Sequence, residues 1–437
     1  MFLRLLYFFL RILCTIFAHV FYRITFFNKE NLLLPKGPCI MTVNHPNTLM
    51  DVITTAPFVN RNTHFLANAS LFINPILNWL FRKLWCIPIK RKKDEDSKVK
   101  NEDSFEECDN FLSNGGLLFI APEGSSKHER HIRDFRPGTA IIAFRAEEKN
   151  NFNLGLKICP IGLTYERPWQ FRSRMYVQAG KPIRIADYQS IYESKPEEAI
   201  EQLTLELEQQ TRIMTVDTDN PNHDRMLGVV EKIDAAVYYE KYHRWPHSIQ
   251  RFDNAQRRCH QLREIENSNQ NALSTLQTSL TEYSNLINQY EISENALAIS
   301  KYPLAVILKI FLIVIGIPLF LTGLVLNIVP FVLTEVVWRS LRYPDYEATV
   351  RIVVGGLLFF PICYGLGSHI VCEYLNLPYF GILFWIISVL MGIFAYNYFK
   401  NLKLLLKIVT VLSLSKEQLT LLLQKRKDIL EELKIPN

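Results

Sequence analysis

Between Lys301 and Lys400 three long apolar stretches follow one another almost without charge, more than the core of a small soluble domain takes in. A second apolar run, punctuated by Arg4, Arg11 and Arg23, occupies residues 1–27. The chain is 49% hydrophobic, which is high for a soluble protein, and most of the excess sits in these two places. The pattern predicts an integral membrane protein with a polar middle. Arg4 and Arg11 are seven positions apart and share a helix face, which predicts a retained N-terminal helix lying at the membrane interface over residues 1–30.

The membrane part poses a length problem. Leu304 to Val337 is 34 residues, long for one span and short for two with a turn, and Pro318, Asn327 and Pro330 interrupt it. The expectation over 301–400 is therefore a re-entrant or tightly packed hairpin, then two full spans near Ile352–Val371 and Tyr379–Phe399. The loop "WRSLRYPDYEATVR" holds three arginines, "EYLNLP" has no basic residue, and the tail from Lys400 is rich in lysine. The positive-inside rule puts Arg339 and Lys403 together on the cytoplasmic side. Residues 401–437 read as an amphipathic helical tail.

The eight cysteines are scattered without CxxC spacing, which predicts reduced thiols, no disulfide framework and no structural zinc. The net charge of +6 is modest, but "FRKLWCIPIKRKKD" and "ERHIRDFR" concentrate it. Such clusters suit an anionic membrane surface or a phosphorylated substrate, not nucleic acid.

Over residues 31–190 short β-rich runs ("CIMTV", "THFLA", "CIPIK", "GLLFIA", "LKICPIGLTY", "MYVQAGKPI") alternate with helix-period stretches, which predicts an α/β domain with a mixed sheet flanked by helices. Residues 191–300 turn to Glu, Gln, Asn and Lys. There Leu273, Leu276, Leu280, Tyr283, Ile287 and Tyr290 step by three and four, the pattern of a helical arm with a narrow apolar stripe.

Two stretches of the α/β region carry chemistry. In "VNHPNTLMDV" His45 follows a strand and Asp51 stands six positions on. Asp51 has two readings. In one, Thr48 caps a helix and Asp51 completes a T-x-x-D capping box. In the other, Asp51 fixes the tautomer of His45, whose imidazole takes a proton near neutral pH. With no serine or cysteine nucleophile in the stretch, such a pair points to attack by the substrate's own hydroxyl. Further on, "FIAPEGSSKHERHIRDFRPGTAIIAF" sets Glu123 and Gly124 after a strand and follows them with Arg130, Arg133 and Arg136. A glycine that admits close approach and several guanidinium groups make an anion site. His128 and His131 lack a third ligand of suitable spacing, so no metal site is expected.

The order "NHPNTLMD", "CIPIKRKKD", "APEGSSKHER…RPGTAIIAF", "KICPIGLTY", "GKPI" resembles the block pattern of the glycerolipid acyltransferases, over residues 30–190. The resemblance implies an α/β acyltransferase domain in which His45 is the general base and Asp51 orients it. It implies that Arg91, Glu123 and Gly124 bind and place the acceptor's phosphate, and that Pro160 shapes the acyl-binding wall. Lys90, Arg130 and Arg136 are added from charge alone. The implied reaction moves a fatty acyl group from acyl-CoA or acyl carrier protein, as co-substrate with no cofactor, to the hydroxyl of glycerol 3-phosphate or 1-acylglycerol 3-phosphate. The implied setting is the cytoplasmic face of a phospholipid membrane. Five residues separate His45 from Asp51 where the family has four, and Glu-Gly-Ser-Ser-Lys replaces the commoner Glu-Gly-Thr-Arg. If the extra residue parts the pair, the chain is instead a catalytically silent lipid-binding or scaffold protein; an acyltransferase acting on another lysolipid is a further alternative.

Overall fold

The computed structural model describes residues 2–32, 36–59, 61–90, 100–341, 346–376 and 380–434. They fall into two compact units, Met1–Asp217 and Thr218–Asn437.

The first unit is built on an eight-stranded mixed sheet of order β1-β7-β6-β2-β5-β3-β4, with β8 pairing β6. Its strands are β1 (Tyr22–Phe27), β2 (Cys39–Val43), β3 (His64–Asn68), β4 (Cys86–Ile89), β5 (Leu117–Ile120), β6 (Lys157–Tyr165), β7 (Ser173–Ala179) and β8 (Ile183–Arg184). β2, β3, β4, β5 and β6 are mutually parallel, and β6 pairs β7 antiparallel. "CIMTV" and "LLFI" are buried at every position, as expected of parallel strands covered on both faces. One covering layer is α4 (Asn101–Ser113), α5 (Gly138–Lys149) and α7 (Pro196–Ile213), whose Leu112, Phe144 and Leu203 close over Ile40, Leu118 and Ile158. α7, which composition places in the helical arm, thus packs in this unit.

The N-terminal helix α1 (Phe2–Phe21) exposes Leu5, Phe8, Phe9, Ile12 and Ile16, a single apolar stripe at helical spacing. Its other side is held to the unit: Arg11 Nε donates to Pro57 O at 2.8 Å, and the Tyr7 hydroxyl accepts from Thr63 N–H at 2.9 Å.

In the second unit α8 (Pro221–Tyr242), α9 (Ser248–Ser268), α10 (Gln270–Gln289) and α11 (Glu294–Ser300) precede three helices long and apolar enough to cross a membrane. The α10 stripe buries Leu276, Leu280 and Tyr283. The expected hairpin at 304–337 is overturned: α12 (Pro303–Leu341) is one helix of 39 residues with Pro318 and Pro330 inside it. Thr322 and Thr334 hydroxyls donate to the carbonyls of Pro318 and Pro330, at 3.0 and 2.7 Å. In apolar surroundings a helix keeps every remaining backbone bond it can, so proline bends such a helix more readily than it ends it.

α12 lies antiparallel to α15 (Phe380–Ser413). Lys309 Nζ donates to Asn401 Oδ1 at 3.0 Å, the Tyr398 hydroxyl to Ile313 O at 2.9 Å, and Asn327 Nδ2 to Ser388 O at 3.2 Å. Arg339 is then roughly 45 Å along α12 from the end that holds Lys403. These two residues, expected on one side, lie at opposite ends of the helix pair, because α12 does not turn back.

Between them, α13 (Glu347–Val350), a π-helical stretch Arg351–Phe359 and α14 (Phe360–Leu375) begin beside Glu335 of α12 and end near Gly381 of α15. Both points lie on the same side of the Asn327–Ser388 contact, so this segment runs obliquely over one end of the helix pair. α16 (Lys416–Glu432) returns to α8 and α11. Arg426 Nη1 bonds Glu240 Oε1 at 2.9 Å, and Arg258 Nη1 donates to Leu433 O at 3.2 Å. The segments before α12 and after α15 are therefore in contact with each other.

Candidate functional site

Parallel strands bring their carboxyl ends to one edge of the sheet, where ligands of α/β proteins collect. His45 lies two residues past β2, Glu123 three past β5, and Tyr165 closes β6. Each is the outcome of a strand that stops on that edge.

Asn44 fixes the end of β2. Its side chain donates to Leu163 O at 2.9 Å and accepts from Leu163 N–H at 2.6 Å on the neighbouring strand. The next residue, His45, has its backbone N–H on Glu123 Oε1 at 2.7 Å and its ring Nδ1 on Asp51 Oδ2 at 2.8 Å. The ring is 23% exposed and the carboxylate fully buried. Because a carboxylate only accepts, Nδ1 carries the proton and Nε2 keeps its lone pair.

Asp51 sits in the short helix α2 (Leu49–Ile53) and takes two further donors: Asn47 N–H on Oδ2 at 2.8 Å and the Tyr165 hydroxyl on Oδ1 at 2.8 Å. Burial first, and then the Asp51 charge, push the Tyr165 phenol well above its ordinary value, so it remains a donor throughout the working range. The capping box expected at Thr48 is not formed. Thr48 has φ 47° and its side chain makes no cap bond, while its N–H donates to Ser126 Oγ at 2.8 Å. This turn, closed by Met50 N–H on Asn47 O at 2.9 Å, takes up the fifth intervening residue. Asp51 therefore serves the backbone ahead of α2 at Asn47 and His45 together, through one oxygen.

The loop after β5 is tied to the same place. Glu123 is 5% exposed, and its second oxygen accepts from Arg133 Nε at 2.9 Å. Arg133 also grips Ser125, at Oγ (3.1 Å) and O (2.6 Å). Both Glu123 oxygens are thus engaged within the protein. Gly124 has φ +67°, and a Cβ there would lie 2.9 Å from Arg136 Nε, so the exposed Arg136 lies across its backbone. Arg130 is half-buried in the same loop.

The remaining residues lie further out. Lys90 follows β4, three strands from β2 and roughly 14 Å across the sheet. Its backbone bonds the Asn101 side chain. Arg91 lies outside the described residues. Pro160 is buried inside β6, where the pairing passes from β7 to β8, and a Cβ on Gly180 would meet its ring at 2.8 Å. The missing proline N–H falls at that break in the ladder.

Asn44, Asn47, Ser126 and Tyr165 were not singled out by the sequence. The two asparagines flanking His45 in "NHPN" were the available signal, since buried Asn is kept for its hydrogen bonds. Tyr165 ends a strand already recognised but carries no local mark of its partner.

The two histidines of "HERH" diverge. His128 Nε2 is 3.0 Å from Asn47 Oδ1, and His131 Nδ1 is 3.9 Å from Asp217 Oδ1. In the second unit Asp219, His223 and Glu266 bring three possible ligand atoms within 4.8 Å. There Arg263 Nε already contacts both Asp219 oxygens at 2.8 and 3.0 Å, supplying a cation from the chain itself.

A family model described as Acyltransferase matches residues 23–164. The chain is 25% identical over 157 residues to the chloroplastic 1-acyl-sn-glycerol-3-phosphate acyltransferase LPAT1 of Arabidopsis thaliana, covering 36% of this chain and 40% of that one. It is 26% identical over 131 residues to glycerol-3-phosphate O-acyltransferase 2 of Saccharomyces cerevisiae, covering 30% of this chain and 17% of that one. It thus spans well under half the length of either relative. The crystal structure of the 1-acyl-sn-glycerophosphate acyltransferase PlsC from Thermotoga maritima superposes on 46% of this chain and 77% of its own, with a TM-score of 0.34 and 19% identity. Residues 23–164 thus carry an acyltransferase domain, similar over that stretch to the glycerolipid acyltransferases.

Proposed function

We propose that the protein is a membrane-bound O-acyltransferase that moves a fatty acyl group from acyl-CoA or acyl carrier protein to glycerol 3-phosphate or 1-acylglycerol 3-phosphate. The observation that carries this reading is the 2.8 Å bond from His45 Nδ1 to a buried Asp51, which leaves Nε2 as the base. Among the described residues no serine, threonine or cysteine side chain bonds the imidazole, so the attacking hydroxyl comes from the acceptor.

In the proposed step the acceptor oxygen attacks the thioester carbonyl as His45 Nε2 takes its proton. The C–O bond forms, the tetrahedral intermediate collapses with loss of the C–S bond, and the same proton passes to the departing thiolate. General base catalysis of this kind typically contributes about 10²–10⁴-fold, and positioning supplies much of the rest. Asp51 stabilises the imidazolium formed on the way. Arg130, Arg136 and the Gly124 backbone are proposed to hold the acceptor's phosphate, with Lys90 adding charge further along the edge and Arg91 contributing as the family resemblance implies. The exposed apolar stripe of α1 supports a membrane setting for this unit. The lysines at the Lys301 and Lys400 ends support the cytoplasmic side.

The deciding experiment offers glycerol 3-phosphate, dihydroxyacetone phosphate and lysophosphatidate as competing acceptors to the purified protein, with acyl-CoA and acyl carrier protein donors in parallel. Ester product that disappears in folded His45→Ala supports the reading. No acylation of any glycerol phosphate or lysolipid acceptor, or full activity in His45→Ala, overturns it.

A further inference from the structure

The second unit contains a cavity of about 340 Å³ lined by Glu240, Lys241, Lys301, Arg426, Lys427 and three apolar side chains, Leu430 among them. This half-open lining sets four cations against one carboxylate, with Glu294 a second carboxylate behind Arg426. Arg426 is its centre. It is 4% exposed; Nη1 bonds Glu240 Oε1 at 2.9 Å and Nε lies 3.1 Å from Glu294 Oε2. Its Nη2 is buried and has no acceptor among the described residues. A guanidinium keeps its charge at any working pH, so Arg426 adds a fixed positive charge to the wall of the cavity.

Around Arg426 the other cations are loosely held. Lys301 Nζ meets Glu240 Oε2 at 2.8 Å and is 40% exposed, while Lys427 shares only an exposed pair with Glu431 at 3.5 Å. Exposed pairs of this kind contribute little and exchange readily. The place is also specific. Lys301 stands two residues before α12 begins, and the Tyr302 hydroxyl bonds Glu240 O at 2.7 Å. Tyr239 stacks on Trp245 at 4.4 Å, and Tyr302 meets Tyr239 edge-on. Aromatic rings and lysines at the start of an apolar helix mark the headgroup level of a bilayer.

We propose that this cavity binds the phosphate group of an anionic glycerophospholipid, with Lys241, Lys301 and Lys427 closing around the phosphate oxygens and the Arg426 charge behind them. The lipid tails then follow the apolar surface of α12. The site is separate from His45 and its ligand need not be a substrate.

The test uses the full chain in a neutral detergent, titrated with dioctanoyl phosphatidate, dioctanoyl phosphatidylcholine and inorganic phosphate, with bound lipid counted by native mass spectrometry. The variant Lys241→Gln/Lys427→Gln changes two exposed side chains and leaves the buried network intact. Phosphatidate should bind the wild type more tightly than phosphatidylcholine, and the double variant should weaken that by about tenfold or more. Inorganic phosphate that binds as tightly as phosphatidate, and is lost in the same variant, assigns the site to the free anion. Equal phosphatidate binding by wild type and variant, or equal binding of the two lipids, overturns the proposal. Activity is not the readout, so failure of the acyltransferase reading leaves this result unaffected.

Discussion

Replacing Asp51 by Asn tests the relay more sharply than removing His45. Two N–H groups, from His45 Nδ1 and Asn47, converge on Oδ2, and one hydroxyl, from Tyr165, reaches Oδ1. An amide put in with its NH₂ towards Oδ2 would face two donors. Turned the other way, it faces Tyr165, whose hydroxyl can accept from the amide and donate to Thr54 Oγ1, 3.1 Å away. The second orientation wins, so the amide oxygen still holds His45 Nδ1–H and the tautomer survives. What is lost is charge. An imidazolium and a carboxylate about 4 Å apart between charge centres interact by about 4 kcal/mol at an effective dielectric constant of 20. Discounting for the partial exposure of the ring leaves about 2–4 kcal/mol, or roughly 30- to 1,000-fold in kcat/KM. Where such a substitution reverses the tautomer, losses reach about 10⁴-fold. The assay is acyl transfer to the preferred acceptor, with circular dichroism confirming the fold. A loss under about threefold refutes the role of Asp51 in stabilising the imidazolium. A loss of about 10⁴-fold in folded protein refutes the argument that Asn47 and Tyr165 set the amide's orientation.

Tyr165→Phe removes the donor to Asp51 Oδ1 but neither of those to Oδ2, so kcat/KM should fall only about three- to tenfold; combined with Asp51→Asn it should cost more than the product of the two, because the amide then lacks its acceptor. His64 in β3 packs against Phe111 with ring centroids 3.9 Å apart, and burial lowers its pKa from 6.5 against the opposing pull of Glu107. A depressed histidine contributes stability above pH 6.5 that is lost as pH falls below it, so the melting temperature of His64→Phe should decline less between pH 7 and 5 than that of the wild type. An unchanged slope rejects His64 as a source of acid sensitivity. Cysteine-accessibility tags in sealed vesicles should find Arg339→Cys and Lys403→Cys on opposite sides and Lys301→Cys and Lys416→Cys on the same side. Any other partition contradicts the antiparallel pairing of α12 with α15.

What the sequence revealed depended on how far apart the interacting groups lie along the chain. "CIMTV" and "LLFI" read as buried strands because burial on both faces leaves an uninterrupted apolar run, a signal contained in four or five residues. The histidine and aspartate of "NHPNTLMD" were visible for a similar reason, being six positions apart. Tyr165 and Glu123 complete the same site from 114 and 78 positions away from the groups they bond, and neither residue type announces such a partner. Thr48 was misread at closer range. The T-x-x-D pattern is a statement about one helix end, and it assumes that nothing nearby competes for the carboxylate. Here a tyrosine from another strand, a histidine and a backbone N–H all compete, and together they set the backbone of Thr48 at a positive φ that threonine does not choose on its own.

The membrane part failed for the opposite reason. Pro318 and Pro330 read as breaks because in water an interior proline costs a helix about 3 kcal/mol, which other conformations can avoid. In an apolar setting a broken helix exposes backbone groups with nothing to bond, at several kcal/mol each, so the proline is the lesser cost. The threonines four residues beyond each proline, Thr322 and Thr334, donate to their carbonyls, and Gly316 and Gly323 let α15 pack close alongside. The same weighing applies to Arg351 of the π-helical stretch. Arg351 is neutralised by Glu335 and Glu347, at 2.8 and 2.5 Å, so it adds little to a charge count that decides orientation. Lys301, at the other end of α12, shares one carboxylate, Glu240, at 2.8 Å, so a bare count of like charges overstates what Arg351 contributes relative to that end.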